Sequence, residues 1–404
     1  MARKLNVHLN GALAGELEQD DSGALWFQYG DAWLGSPSAT PLSASLPLRR
    51  ERFNRNECRP FFAGVLPEEE SRRRIAKAFG VSDKNDFALL ERIGAECAGA
   101  VSLLRPGEPA VPSPGRYREI TREELAVRFS ELPRHPLLAG EAGVRLSLAG
   151  AQGKLAVKIS DGRFFLPLDG SPSSHILKPQ NSHFESLPEN EFFCMQLAGR
   201  VGLQVAAVEL GRAGGITFLQ VERFDRKRLP NGELSRIHQE DFCQASGVAP
   251  EMKYQQEGGP NLKKCFELIR SVSTVPAPDL LRLFDAVIFN FLIGNCDAHG
   301  KNFSFLYEPG AATLAPLYDL VCTRAYPTLA AEMAMKIGGQ RDPVRLTTRN
   351  WRAFFDETGL GHSTAGRRLR AIAGRLLQEA GAMAEMPGAE RVLPIVVENC
   401  QRFR

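Results

Sequence analysis

Within six consecutive positions, Asp297-Ala298-His299-Gly300-Lys301-Asn302, this chain carries a carboxylate, an imidazole, an ammonium and a carboxamide. A second aspartate, Asp319, stands alone in the apolar run Leu317-Tyr318-Asp319-Leu320-Val321. Asp-x-x-x-x-Asn followed by an isolated Asp is the layout of a phosphoryl-transfer loop. Asp297 would take the proton of an acceptor hydroxyl, Asn302 would hold one Mg²⁺ and Asp319 the other. Burying such a set for packing alone would cost several kcal/mol unless each group were paired, so a metal and a nucleotide are its natural partners. His299 has no second His or Cys at ligand spacing, which favours nucleotide contact over zinc. Cys296, beside the base, lacks the partners a nucleophile needs and reads as a small filler.

Other stretches must position these groups. An apolar helix from Leu280 to Ile293 delivers the loop. Ser174-His175-Ile176-Leu177-Lys178-Pro179 reads as a strand with one lysine at its end, and Glu189-Asn190-Glu191 opens an amphipathic helix. Lys178 is either a snorkelling surface residue or an ammonium held at phosphates. Its order relative to Glu191 and the Asp/Asn loop favours the second. Arg145 to Val157 reads as strand, small-residue loop, strand. That is either an ordinary hairpin or a cover whose backbone N–H groups close on phosphates. Thr217 to Arg226 reads as a strand entering a basic turn, where the backbone of Glu222, Arg223 and Phe224 would pair with adenine.

The rest organises as a front module, a middle region and a helical remainder. Leu5–Leu9, the return after Asn10-Gly11, and Trp26–Tyr29 alternate like strands. Ser43–Leu48 is expected to be a further strand. Helical periodicity starts at Arg59, Asn85 offers a cap, and Arg72-Arg73-Arg74 reads as a solvated face. Residues 105–115 are a Pro/Gly linker, and Thr121-Arg122-Glu123-Glu124 is a capping box. Residues from 227 to about 256 are expected to be partly helical, followed by helices over 278–293, 348–359, 363–384 and 388–400.

Composition narrows the class. The chain is 43% apolar and 24% charged, with a net charge of +3 too small to imply nucleic acid by itself. No run of about 18 apolar residues exists, and no signal-peptide core opens the sequence, so no membrane association is expected. Eight scattered cysteines without a Cys-x-x-Cys pair fit reduced thiols and a cytoplasmic location.

Distinctive motifs run along nearly the whole length: Phe61-Phe62-Ala63-Gly64-Val65-Leu66-Pro67-Glu68, Gly94-x-x-Cys97-Ala98-Gly99-Ala100-Val101 and Ser147-Leu148-Ala149-Gly150-Ala151-Gln152. His175–Lys178, Glu189–Glu191, Val221–Arg226, Asp297–Asn302 and Tyr318-Asp319 complete the set. In order and spacing these make the chain similar to the HipA family of bacterial toxin serine/threonine kinases. One departure is Gly153, where a family member has an acidic residue. The resemblance implies an α+β, bilobal protein-kinase-like fold with an N-terminal β-rich subdomain (1–104), a kinase N-lobe (120–225) and a mostly helical C-lobe (226–404).

It further implies Asp297 as general base, Mg²⁺ on Asn302 and Asp319, and ATP phosphates on Lys178 oriented by Glu191. Ala149, Gly150, Ala151, Gln152, Gly153 and Lys154 would cover the phosphates. His299, Gly300, Lys301 and Tyr318 would add nucleotide contacts, and Ser147 matches an inhibitory autophosphorylation site. An aminoacyl-tRNA synthetase as substrate, a helix-turn-helix antitoxin of the HipB type and operator DNA reached through that complex are implied partners. Arg367, Arg368, Arg370 and Arg375 would then face DNA or, as the residues alone suggest, solvent. Two other readings share the residue set: a small-molecule or lipid-headgroup kinase, and a nucleotide-binding co-repressor scaffold.

Overall fold

The computed structural model describes residues 2–109, 114–150 and 152–403; Ala151, expected over the phosphates, lies outside them. The chain divides into two compact units. One comprises residues 1–179, 211–250 and 306–310, and the other 180–210, 251–305 and 311–404.

The first unit is β-rich. Strands β1 (Arg3–Leu9), β2 (Ala12–Gln19), β3 (Leu25–Tyr29) and β4 (Val101–Leu104) form an antiparallel sheet of order β3-β2-β1-β4. The Asn10-Gly11 turn joins β1 to β2, with both residues at positive φ (51° and 81°). Helices Arg55–Gly64, Glu69–Ala78 and Asp86–Ile93 follow. Asn85 caps the last of these by accepting from the Ala88 N–H at 3.0 Å. Ser43–Leu48 is not the expected strand: only an isolated Ser43–Leu46 bridge forms. Ser43 Oγ and the Ala44 N–H turn instead to the carboxylate of Glu240, which takes that backbone N–H away from any ladder.

A second sheet carries β5 (Arg116–Ile120), β6 (Leu155–Ser160), β7 (Arg163–Leu168) and β8 (His175–Pro179). These lie side by side in the order β5-β7-β6-β8, with strand Ile216–Glu222 antiparallel to β8 on its far side. The capping box at Thr121 forms as expected and opens helix Arg122–Glu131. A continuous apolar core runs through both sheets, from Leu5 and Phe27 to Leu177 and Phe218.

What ties the front sheet to the second one is a buried ionic cluster. Glu96 is wholly buried and accepts from Arg223, Arg226 and Arg236 at 3.0–3.1 Å, and from the Ser173 N–H and Oγ at 2.9 Å. Asp225 takes a forked pair from Arg223 (3.0 and 2.8 Å) and the Gly99 N–H at 2.7 Å. Burial alone would push the Glu96 carboxyl upward, but the three guanidinium groups outweigh it and hold the carboxyl at about 2.

The second unit is mainly helical: Leu187–Arg200, Leu262–Val272, Pro276–Leu292, Thr348–Thr358, His362–Ala382 and Ala389–Gln401. Helix Pro276–Leu292 is buried on every side from Leu283 onward. Phe284 stacks on Phe354 at 6.0 Å, and Phe291 meets Trp351 edge-on at 5.5 Å. The stretch before residue 256, expected to be partly helical, is mostly short strands and single turns: Arg226–Arg228, Leu234–Arg236, His238–Asp241 and the four-residue helix Phe242–Ala245. All eight cysteines are free and buried. No helix among the described residues is long and apolar enough to cross a membrane.

Removing one member of a buried ionic cluster strands the rest. Glu96→Ala should therefore destabilise the protein by ~3–5 kcal/mol. Urea unfolding followed by fluorescence measures it, and a loss below ~1 kcal/mol would count against the cluster as the tie between the sheets.

Candidate active site

The loop Asp297–Asn302 hangs from helix Pro276–Leu292 through a left-handed helix stop. Gly294 has φ 73°, its N–H donates to the Phe291 carbonyl at 3.1 Å, and the Asn295 N–H donates to the Asn290 carbonyl at 2.8 Å. These two bonds make a Schellman turn, which needs a residue without Cβ at its bend. A Cβ on Gly294 would lie 2.7 Å from Ile395 Cγ2.

Beyond the turn the backbone is anchored at nearly every residue. Asn290 Oδ1 accepts from Asn295 Nδ2 (2.7 Å), and Asn295 Oδ1 accepts from the Asp297 N–H (3.1 Å). The Cys296 N–H donates to Thr323 Oγ1 (2.7 Å), and the Cys296 carbonyl accepts from the Ala334 N–H (2.7 Å). Cys296 is buried, with its thiol pushed up to about 11, chiefly by burial. It behaves as the filler expected.

The side chains that follow are sorted by exposure. Asp297 is exposed and its Oδ1 accepts from Tyr254 Oη at 2.8 Å. His299 and Lys301 are buried. Asn302 folds back: its Oδ1 accepts from the His299 N–H (3.1 Å) while its own N–H donates to the His299 carbonyl (3.0 Å). Gly300–Asn302 is thus a single 3₁₀ turn. Tyr318 Oη donates to the Lys301 carbonyl at 2.7 Å and lies 2.6 Å from Ser304 Oγ, which docks the Asp319 segment against the loop. Asp319 sits at φ 53°, a left-handed conformation rare for a residue with a side chain and frequent at functional sites. Three residues on, Asn190 clamps Cys322 by both peptide groups (2.8 and 3.1 Å), tying the helix that carries buried Glu191 to the same segment.

The structure thus brings Asp297, His299, Gly300, Lys301, Asn302, Tyr318, Asp319 and Glu191 into the helical unit and places Ser147, Ala149, Gly150, Gln152, Gly153, Lys154, Lys178, Glu222, Arg223 and Phe224 in the β-rich one. Lys178 is buried on β8, opposite Leu219 in register. Glu222 is exposed and Phe224 half-buried. Arg223 gives its N–H to the Ser174 carbonyl (2.9 Å) and its side chain to the Glu96–Asp225 cluster. The expected hairpin over 145–157 does not form. Leu146 bridges in parallel to Glu96, and only the second limb, β6, is a strand.

The loop that leads into β6 is closed by Lys154, whose Nζ donates to the Ala149 carbonyl at 2.5 Å beneath Gly150 at φ 99°. Gln152 is half-buried, and a Cβ on Gly153 would meet nothing within 4 Å. Ser147 is fully buried, its Oγ donating to the Val65 carbonyl (2.8 Å) and its N–H to the Glu96 carbonyl (2.8 Å). Of the four arginines on helix His362–Ala382, Arg368 pairs with Asp285, while Arg367, Arg370 and Arg375 are exposed. Arg73 and Arg74 pair with Glu70 on a solvated face, whereas Arg72 turns inward to Asp86.

Comparison with known proteins decides the family. Residues 5–104 match the HipA N-terminal domain, and residues 146–383 match the HipA-like C-terminal domain. The chain belongs to the HipA family. It is 50% identical over 371 residues (91% of this chain, 88% of the other) to a putative kinase, Y4mE, of Sinorhizobium fredii. It is 32% identical over 396 residues (95% and 89%) to the serine/threonine-protein kinase toxin HipA of Shewanella oneidensis. The solved complex of Shewanella oneidensis HipA, HipB and operator DNA matches with a TM-score of 0.85 at 30% identity, over 99% of this chain and 96% of that one. The α+β, kinase-like fold and the enzyme class of serine/threonine kinase, both expected from the sequence, stand with the family.

The sequence reading missed Tyr254, forty-three positions from Asp297 in a stretch without recognisable chemistry. Gly294 was equally unmarked, although a glycine directly after an apolar helix is a stop signal. Gly294→Ala should cost ~2 kcal/mol or more from the left-handed turn and the Ile395 contact. Phosphate transfer should fall at least ~10-fold as the loop shifts. Urea unfolding and turnover, measured on the same preparation, test both.

Proposed function

We propose that this chain is an ATP- and Mg²⁺-dependent serine/threonine protein kinase that acts as a growth-arresting toxin. The observation that carries the reading is the Asp297–Asn302 loop, pinned along its backbone while the Asp297 carboxylate stays exposed. A carboxylate so held is suited to accept the proton of a serine or threonine hydroxyl as that oxygen attacks the γ-phosphorus. Lys178, oriented by Glu191, contacts the α- and β-phosphates. Ala149–Lys154 covers them, and the backbone of Glu222–Phe224 binds adenine. The Arg223 N–H is given to the Ser174 carbonyl at 2.9 Å, so that peptide hydrogen is not the one that meets adenine. His299, Gly300, Lys301 and Tyr318 add contacts to the nucleotide.

Asn302 and Asp319 offer a carboxamide oxygen and a carboxylate, hard oxygen donors suited to Mg²⁺, and the left-handed backbone of Asp319 is the sort of strain a functional residue carries. Bound there, the ion would neutralise phosphate charge as the bond to the leaving group breaks. Asp297→Ala should lower phosphate transfer by at least ~10³-fold with the fold intact by circular dichroism. Retained turnover in the purified variant would reject the assignment.

Ser147 is proposed as an autophosphorylation site. Its hydroxyl is wholly buried, so it reaches the γ-phosphate only after its loop leaves the Val65 carbonyl. A phosphoserine of charge about −1.5 to −2 could not return to that dry position, and the loop would stay out. Ser147→Ala should then hold its transfer rate through preincubation with ATP while the parent protein decays. Equal decay in both would discard the mechanism.

For partners, the relative solved with HipB and operator DNA supports a helix-turn-helix antitoxin of that type, with operator DNA reached through the complex. Exposed Arg367, Arg370 and Arg375 are available to it; Arg368 is engaged by Asp285. The acceptor protein proposed is an aminoacyl-tRNA synthetase, which phosphopeptide mass spectrometry after induction would identify.

A further inference from the structure

One contact at the proposed base belongs to none of the residues assigned above. Tyr254 Oη donates to Asp297 Oδ1 at 2.8 Å from a segment of two 3₁₀ turns, Pro250–Met252 and Gln255–Glu257. The tyrosine is fixed from several sides. Its ring meets His299 edge-on at 5.2 Å (78°), and the Lys253 ammonium lies 5.4 Å from its centroid. Its carbonyl accepts from the N–H groups of Glu257 and Gly259, both at 2.9 Å. The two residues after it are anchored as well. Gln255 Oε1 accepts from the Lys336 N–H (2.8 Å), and Gln256 Oε1 accepts from Arg341 Nη2 (2.6 Å).

From this we infer that Tyr254 is a positioning residue for Asp297, an inference that rests on Asp297 being the base. An exposed aspartate side chain rotates readily about its terminal torsion, and a base that swings spends only part of its time aligned with the acceptor. A hydroxyl bonded to Oδ1 and carried on an anchored segment arrests that swing. The same bond could instead mark a displaceable stand-in for the acceptor hydroxyl. The anchors through Gln255 and Gln256 argue for a fixed strut.

The test uses the full chain with Mg·ATP and water as acceptor, since hydrolysis needs the base but no identified protein substrate. Tyr254→Phe keeps the ring on His299 and removes only the hydroxyl. Positioning requires kcat to fall ~10-fold with the KM for ATP and the thermal midpoint unchanged. It also requires that Tyr254→Phe add no further loss in an Asp297→Ala background, because the strut then has nothing to hold. Unchanged kcat would make Tyr254 a packing residue, raised kcat would make it a stand-in for the acceptor, and a change in KM alone would make it a nucleotide contact. Each of these overturns the inference. Asp297→Ala run in parallel separates the two levels: if it keeps its turnover, the base assignment fails and the inference falls with it. If it is inactive while Tyr254→Phe has parent activity, only the inference fails.

Discussion

A largely buried cluster of two carboxylates and three guanidinium groups sits where the front sheet meets the second sheet, and much of the first unit is arranged around it. Glu96 and Asp225 would each be costly to bury alone, and so would Arg223, Arg226 or Arg236. Together they pair with one another and with the Ser173 and Gly99 peptide groups. The cluster draws on residues from three separate stretches of chain, so none can move without exposing an unbalanced charge. One of those stretches is the turn after strand Ile216–Glu222, proposed above to meet adenine. Another precedes β4 and is bonded to both peptide neighbours of Leu146, which leads into Ser147 and the proposed phosphate loop. The front module is thereby part of the framework that sets these segments rather than an appendage to it.

The helical unit solves a different problem, that of holding a polar loop at the end of an apolar helix. A helix buried on every side cannot fray without cost, so its last turn is a rigid base. The left-handed stop at Gly294 converts the helix direction into the loop direction within two residues. The amides of Asn290 and Asn295 then carry hydrogen bonding onward to the Asp297 peptide. Buried side-chain amides are costly unless fully engaged, and these are engaged in a chain that ends at the residue needing a fixed position.

How much of this was legible depended on sequence distance. The caps at Asn85 and Thr121 and the apolar helix are short-range signals, and each reads correctly from a few neighbouring residues; the Asp297–Asn302 spacing, on which the proposed chemistry rests, is legible over the same short range. Arg223 looked like part of a basic turn because its partner Glu96 is more than a hundred residues away. Arg145–Leu148 looked like half of a hairpin because its true partner, Glu96, lies in a different module. Ser43–Leu48 had the composition of a strand, but Glu240, nearly two hundred residues away, draws off the Ala44 N–H. Tyr254 carried no signal at all, since a tyrosine between a lysine and two glutamines becomes informative only when its hydroxyl is seen to meet a carboxylate.

The eight buried thiols make the molecule its own reporter. Cys58, Cys97 and Cys243 lie in the β-rich unit, and Cys194, Cys265, Cys296, Cys322 and Cys400 in the helical one. Burial raises the thiols of Cys58, Cys97, Cys265 and Cys322 to about 12, so native-state alkylation at neutral pH is suppressed both by access and by ionisation. Each cysteine then reacts only during a local opening that exposes it. The pattern of labelling over time would chart, segment by segment, which parts of the catalytic framework breathe and which stay shut.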